Sequence, residues 1–183
     1  MRVRASSASS LSWFLRPIFW LQKRRWGQLL VPALTWARVP PYYFALLGFY
    51  AAVERKGSRL DPALRSLVQA RISQLEHCAF CVDLNSMLAA ERAGAAEKAV
   101  GLDAWRESAL YSPRERFALE YAEAVTEGRV TDELAAHVKA EFGEEAMIEL
   151  TGLAAFQNMS AKFNAALDIP SQGFCKLPER KSR

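Results

Sequence analysis

The chain has 183 residues, of which 51% are hydrophobic, and it carries a net charge of +4. This length is enough for one domain with a substantial core. Three cysteines are too few for a disulfide-stapled secreted scaffold, and no apolar run reaches the roughly 18 residues that span a bilayer. We therefore expect a cytoplasmic protein, at most peripheral at a membrane.

The basic residues concentrate at the start of the chain. Residues 1–56 carry nine Lys or Arg and one acid, whereas residues 57–175 carry a net charge of about −7. Aromatic side chains alternate with cations in residues 11–30, and we interpret residues 1–27 as a basic aromatic arm. This arm is expected to pack over the domain or a neighbouring subunit, and contact with an anionic membrane surface is the alternative. No nucleic-acid motif accompanies the charge, so no nucleic-acid partner is expected.

The remaining sequence predicts helices. Pro40-Pro41 separates a first helix from a second, Asp61-Pro62 provides an N-cap with proline in the first turn, and Ser112 to Glu115 form a capping box. No run shows the alternation typical of a strand, so the predicted class is all-α. The predicted helices from the second onward cover about 42–55, Pro62 to the CxxC motif, 79–93 ending at Gly94, 113–127, 131–143 and 144–166.

The CxxC motif is formed by Cys78 and Cys81 at the head of the predicted helix 79–93. Cysteines three residues apart on a helix face the same way, and a helix N-terminus favours the thiolate, which attacks peroxides and disulfides. If Cys81 is oxidised to a sulfenic acid, Cys78 is close enough to condense with it. The motif therefore predicts a redox-active pair, and a buried, inert pair is the alternative.

A metal site is not expected at the motif. Zinc would need two more ligands, and no cofactor is indicated. The other Cys and His residues of the chain are His77, His137 and Cys175.

The stretch LRSLVQARISQLEHCAFCVDLNSMLAAERAG resembles the core of the carboxymuconolactone decarboxylase family, in particular its alkyl hydroperoxidase D-like branch. The later stretches WRESALYSPRERFALEYAEAVTEG and TDELAAHVKAEFGEEAMIELTGLAAFQNMSAKFNAAL resemble the same family. The similarity covers roughly residues 28–170 and leaves 171–183 as a C-terminal tail.

The resemblance implies an all-α, alkyl hydroperoxidase D-like helical bundle that assembles into trimers or hexamers. It also implies antioxidant reduction of a small-molecule hydroperoxide, in which Cys81 attacks and Cys78 resolves. An external thiol or disulfide reductant would then regenerate the pair.

The chain departs from the family pattern at two positions. The family has a glutamate twelve residues before the first cysteine and a histidine four residues after the second, and these form a proton relay. Here the positions hold Ser66 and Asn85, neither of which is a base near neutral pH. Losing a positioned general base typically costs ~10²–10⁴-fold in rate. Either a nearby group such as Glu76, His77 or Asp83 substitutes for the relay, or Cys81 relies on the helix terminus, or peroxidase activity is weak or absent.

Three functions follow from these features. The leading hypothesis is a thiol-dependent oxidoreductase that reduces hydroperoxides through Cys78 and Cys81. The first alternative is a non-catalytic, redox-sensing or partner-binding helical oligomer, which the absent relay favours. The second is a carboxymuconolactone decarboxylase-type lyase, a chemistry that needs no CxxC.

Overall fold

The computed structural model describes residues 1–4, 12–93 and 96–176. All regular structure in these ranges is helical, which confirms the predicted all-α class. Gly94, predicted to end a helix, and parts of the predicted arm and tail, 5–11 and 177–183, lie outside the described residues. The helices are α1 (Arg16–Trp26), α2 (Val31–Trp36), α3 (Pro40–Val53), α4 (Pro62–Leu75), α5 (Ala79–Ala93), α6 (Ala96–Val100), α7 (Pro113–Glu127), α8 (Asp132–Phe142) and α9 (Glu144–Ala166), with short 3-10 helices at Trp13–Leu15 and Leu102–Ala104.

Helices α4, α7 and α8 begin at side-chain caps. The Asp61 carboxylate caps α4 by accepting the Leu64 N–H. The Ser112 hydroxyl accepts the Glu115 N–H while the Glu115 carboxylate accepts the Ser112 N–H, so the capping box of α7 is complete. Helix α3 begins at Pro40, two residues before the predicted start at 42. Pro40 and Pro41 occupy its first turn, where the backbone N–H that proline lacks would have no partner within the helix.

The core is built around α4, which packs against α5, α7 and α9. Leu64, Val68 and Ile72 of α4 are buried in one cluster with Leu150 and Leu153 of α9. Their spacing along each helix places them on one face, which is the helical periodicity visible in the sequence. The face of α4 that meets α5 is also buried, because Leu67 and Ala70 pack in one cluster with Ala89 of α5.

The N-terminal helices form a second apolar cluster over this core. Leu15 and Phe19 are buried with Trp36 and Tyr43, and the Phe19 and Tyr43 rings stack with centroids 5.7 Å apart. Gly27 ends α1 with a left-handed φ of 73°. Helix α1 therefore packs on α2 and α3 rather than extending away from them.

Large apolar side chains remain exposed on α1 and α3, and two of them, Leu21 and Tyr50, also border an internal cavity. Helices in the described parts of the chain are all too short or too polar to cross a lipid bilayer. The exposed large apolar side chains of these two helices are Trp20, Leu21, Tyr42, Phe44, Phe49 and Tyr50.

Glu123 of α7 is a buried carboxylate that joins three parts of the fold. Its carboxylate oxygens accept hydrogen bonds from Arg71 Nε at 2.5 Å, Trp105 Nε1 at 2.9 Å and Arg106 Nη2 at 2.5 Å. Burial alone would raise the pKa of Glu123, but these donors and the positive charges outweigh it and hold the pKa below its ordinary value of 4.5. The ionised form is therefore the one that stabilises the fold.

Glu123→Gln is expected to lower the free energy of unfolding by about 2–3 kcal/mol at pH 7, because two arginines lose their carboxylate. A folded-state pKa below the unfolded value means that this stabilisation is complete above pH 4.5 and is lost as the pH falls through the folded value. Urea unfolding of wild type and Glu123→Gln from pH 7 to pH 3 measures their free energies of unfolding, and the difference between the two should shrink as the pH falls. The matched control is Glu120→Gln, at an exposed position of the same helix, which should change stability little. A pH-independent difference would contradict the assignment.

Candidate active site

A tight helix-to-helix turn places the CxxC motif. Helix α4 ends at Leu75, and His77 adopts a left-handed φ of 51°. The His77 N–H donates to Gln74 O at 3.1 Å and the Cys78 N–H donates to Ser73 O at 3.1 Å. This is the hydrogen-bond pattern of a Schellman motif, which satisfies the last carbonyls of a helix. Because α5 begins at Ala79, the turn leaves no loop between the end of α4 and the cysteines.

Cys78 and Cys81 form a disulfide, with their Cα atoms 5.2 Å apart. Cys78 precedes the first residue of α5, and its Sγ accepts the Cys81 N–H at 3.2 Å. This is the position of an N-cap side chain, where unpaired N–H groups and the helix dipole stabilise negative charge. In the reduced protein the same contact favours the Cys78 thiolate.

Only one of the two cysteines borders a cavity. Cys78 is 0% exposed and Cys81 is 4% exposed. Cys81 lines a cavity of about 350 Å³ to which helices α1, α2, α3, α4, α5 and α9 contribute side chains. A larger depression of about 500 Å³ beside α6 contains neither cysteine, so we place the site at the smaller one. Six aromatic side chains line the cavity at Cys81: Trp26, Trp36, Tyr43, Tyr50, Phe80 and Phe156.

A buried polar cluster centred on Ser73 adjoins this cavity, which Asn85 and Gln157 line. The Ser73 hydroxyl donates to Gln69 O at 2.6 Å and accepts the amides of Asn85 Nδ2 at 2.9 Å and Gln157 Nε2 at 3.0 Å. Each of these side chains is neutral. The cluster can therefore orient groups through hydrogen bonds, but it cannot accept a proton near neutral pH.

Asn164 of α9 is the side chain that contacts the cavity-facing sulfur. Its Nδ2 donates to Cys81 Sγ at 3.3 Å, and the residue is 2% exposed. A hydrogen bond to the charged form of a group favours that form. Asn164 therefore stabilises negative charge on Cys81 without providing a base.

The two positions of the expected proton relay do not meet. Ser66 donates to Pro62 O at 3.0 Å and accepts a hydrogen bond from Arg92 Nη1 at 3.0 Å, and Arg92 in turn pairs with Glu54 at 2.9 Å. Asn85 instead contacts Ser73, which lies about 10 Å further along α4 at 1.5 Å per residue. The structure thus places Asn85 at the cysteine site and Ser66 in a separate ion-pair cluster.

Asp83, one of the candidate substitute bases, is occupied by backbone amides. Its carboxylate oxygens accept the Gln172 N–H and the Cys175 N–H, each at 2.7 Å. The carboxylate thereby fastens the segment after α9 to the CxxC helix. Cys175 is a free, half-buried thiol.

The other two candidate bases, Glu76 and His77, lie in the turn before Cys78. Glu76 pairs with Lys162 at 3.5 Å, and the side chain of His77 is exposed. Neither has a hydrogen bond to a cysteine sulfur among those found in the described residues. A role for either residue in proton transfer stays a prediction.

Sequence reasoning missed Ser73, Gln157 and Asn164. A signal for two of them is present, because Gln157 and Asn164 are seven residues apart and share one face of the predicted helix 144–166. Polar residues at that spacing within an apolar stripe indicate a buried polar cluster. Which helix faces that stripe is not encoded locally.

Metal chemistry has no candidate ligand set in the described ranges. No group of three or more His, Cys, Asp or Glu side chains lies close enough there to hold an ion.

The structure is an all-α, alkyl hydroperoxidase D-like helical fold that carries a Cys78–Cys81 disulfide. The chain belongs to the carboxymuconolactone decarboxylase family, whose sequence profile matches residues 40–124. It is 47% identical over 176 residues to the uncharacterized protein YnjA of Escherichia coli K12, and the match covers 95% of this chain and 97% of YnjA. The resemblance predicted from the sequence is confirmed.

Two solved structures show the same fold. The first is an uncharacterized peroxidase-related protein with an alkylhydroperoxidase AhpD core from Ralstonia eutropha JMP134, with a TM-score of 0.84, 17% identity, and coverage of 93% of this chain and 92% of that one. The second is a cysteine-to-alanine variant of the debrominase Bmp8 in complex with 2,3,4-tribromopyrrole. Its TM-score is 0.77 at 23% identity, with coverage of 94% of this chain and 91% of that one.

Proposed function

We propose that this protein is a thiol-dependent oxidoreductase that reduces an organic hydroperoxide with Cys81 and Cys78. The observation that carries the proposal is the difference in access between the two sulfurs. Cys81 borders the apolar cavity, whereas Cys78 is fully buried behind it. A substrate in the cavity can therefore meet Cys81 first.

The proposed cycle uses both thiols once. The Cys81 thiolate attacks one peroxide oxygen, the O–O bond breaks, and the alkoxide takes a proton and leaves as the alcohol. Cys81 is then a sulfenic acid, and the Cys78 thiolate attacks its sulfur, forms the disulfide and releases the hydroxyl as water with one proton. An external thiol reductant restores both thiols by exchange.

The contacts of the two cysteines suit these roles. The Cys81 N–H stabilises a thiolate at Cys78, which suits the attack of Cys78 in the resolving step. The Asn164 amide stabilises a thiolate at Cys81. The neutral side chains around Cys81 supply no base to take its proton. We therefore expect a rate that rises with pH until the Cys81 thiol is ionised.

The expected homo-oligomer, a trimer or hexamer, is part of the proposal. The exposed aromatic side chains of α1 and α3 support it, because apolar patches of this kind mark protein or membrane contacts. Contact of residues 11–30 with a membrane surface is the competing use of the same side chains.

The test is a stoichiometric reaction of the reduced protein with cumene hydroperoxide. We expect one cumyl alcohol and one Cys78–Cys81 disulfide per chain, with the Cys175 thiol retained, as measured by chromatography and mass spectrometry. Cumene hydroperoxide should react faster than hydrogen peroxide, because the cavity is apolar. Cys175→Ser is the control and should leave the stoichiometry unchanged. A disulfide that forms once, without repeated turnover when dithiothreitol is supplied, would instead support the non-catalytic alternative. Decarboxylation of a carboxymuconolactone by the Cys78→Ser/Cys81→Ser double variant would support the lyase.

The aromatic walls of the cavity favour a second substrate class, a halogenated aromatic ring. Bmp8, which shares the fold, is a debrominase. Attack of the Cys81 thiolate on the halogen would transfer it to sulfur and leave a ring carbanion that takes a proton. Cys78 would then displace halide as the disulfide forms. Bromide release from 2,3,4-tribromopyrrole in the same assay distinguishes this class from hydroperoxides.

A further inference from the structure

Three polar atoms that belong to residues lining the cavity are buried without a hydrogen-bond partner. They are Trp36 Nε1, Tyr43 Oη and Asn164 Oδ1, and none finds a partner among the described residues. The residues are 8%, 0% and 2% exposed, respectively. Buried polar groups in native proteins are almost always paired, so unpaired ones around a cavity indicate a ligand that carries polar atoms.

The three atoms differ in whether they donate or accept a hydrogen bond, and this limits the ligand group that can pair with them. The indole N–H of Trp36 donates, and Asn164 Oδ1 accepts. Burial raises the pKa of Tyr43 to about 12, so its hydroxyl stays protonated and can donate. A ligand oxygen that both accepts and donates, as in a hydroxyl or hydroperoxyl group, would satisfy such a set. Because Asn164 also contacts Cys81 through Nδ2 at 3.3 Å, that oxygen would lie near the sulfur.

Arg25 is the only charged side chain that lines this cavity among the described residues. Its guanidinium lies 4.4 Å from the centroid of the Trp26 ring, and Trp26 is also part of the cavity wall. The neighbouring Arg24 lies over Trp20, at 5.6 Å, and does not line the cavity. One cation beside apolar walls matches a ligand with an apolar body and a single negative charge.

We propose that the cavity binds a medium-length organic carboxylate with an oxygen function on its apolar body. The carboxylate pairs with Arg25, and the oxygen function meets Trp36, Tyr43 and Asn164. This inference rests on the proposed function for the fate of the ligand, since a hydroperoxy acid bound this way presents its O–O bond to Cys81. A cavity of about 350 Å³ lies at the lower end of the range of about 300–1,000 Å³ for ligand pockets, which suits a ligand of this size.

Calorimetric titration of the disulfide form tests the inference without any thiol chemistry. The probes are decanoate, 10-hydroxydecanoate and 1-decanol. Decanoate should bind wild type about fivefold more tightly than decanol, and Arg25→Gln should remove this difference while leaving decanol binding unchanged. The matched control, Arg24→Gln, should retain the difference. Equal binding of decanoate and decanol to wild type, or an equal loss in both arginine variants, would overturn the role of Arg25.

A comparison of 10-hydroxydecanoate with decanoate tests the contacts proposed for the oxygen function of the ligand. The hydroxyl of 10-hydroxydecanoate should improve binding to wild type about fivefold over decanoate, and Tyr43→Phe should reduce that gain. A gain that Tyr43→Phe leaves intact, or no gain at all, would overturn the assignment of the buried polar atoms. If the three probes bind in the expected order but the reduced protein does not reduce hydroperoxides, only the proposed function is overturned.

Discussion

Cys81→Ser is expected to abolish hydroperoxide reduction, with turnover lower by at least about 10³-fold. Serine is not ionised near neutral pH, and the remaining thiol, Cys78, is fully buried. The measurement is steady-state consumption of cumene hydroperoxide with dithiothreitol as reductant. Cys175→Ser should keep the wild-type rate.

Cys78→Ser separates the roles of the two cysteines. This variant should consume one hydroperoxide per chain and stop as the Cys81 sulfenic acid, which dimedone would trap and mass spectrometry would locate. The opposite pattern, with a trapped Cys78 and consumption intact in Cys81→Ser, would contradict the assignment. It would mean that the stabilising contact from the Cys81 N–H outweighs access from the cavity.

Asn85→His is expected to raise the rate of Cys81 oxidation at pH 7 by about 10²-fold. Position 85 lies one helical turn after Cys81 and borders the same cavity. An imidazole there could accept the thiol proton directly or through a water, which the amide cannot do. The gain should appear only above about pH 6.5, the ordinary pKa of histidine, because the base must be neutral.

Stopped-flow measurement of thiol loss as a function of pH checks this gain. The matched control is Asn158→His on α9, whose amide contacts Thr126 at 2.9 Å and which does not line the cavity. An equal gain in both variants would show that the added histidine acts indirectly. No gain in Asn85→His would show that deprotonation of Cys81 does not limit the rate.

Five of the helices after residue 60 could be predicted because their signals are local, whereas α6 and the 3-10 helix Leu102–Ala104 were not predicted. Asp61, Ser112 and Thr131 each accept an N–H within the first turn that follows them, and the apolar positions repeat with the helical period. The arrangement of residues 12–39 into a 3-10 helix, α1 and α2 was not predicted. There the apolar and basic residues show no clean period, and Gly27 ends α1 through its backbone conformation.

The site was predictable only in part. Cys78, Cys81 and Asn85 share one helix, so their spacing alone places them on neighbouring turns. Asn164 lies 83 residues from Cys81 along the chain, and the contact between them depends on how α9 crosses α5. Ser66 shows the converse limit. Its position twelve residues before Cys78 indicated a place in the cysteine site, but its side-chain partner is Arg92, which lies 26 residues away along the chain.

The left-handed turn at His77 has a consequence for how relatives of this chain are compared. The position is constrained by its backbone conformation, which glycine and asparagine adopt with less strain than histidine. Natural variation at residue 77 should therefore run among these residue types, whatever the chemistry of the neighbouring thiols. The presence or absence of an imidazole there would be a poor criterion for sorting relatives into active and inactive members, whereas the identities at 81, 85 and 164 would be informative ones.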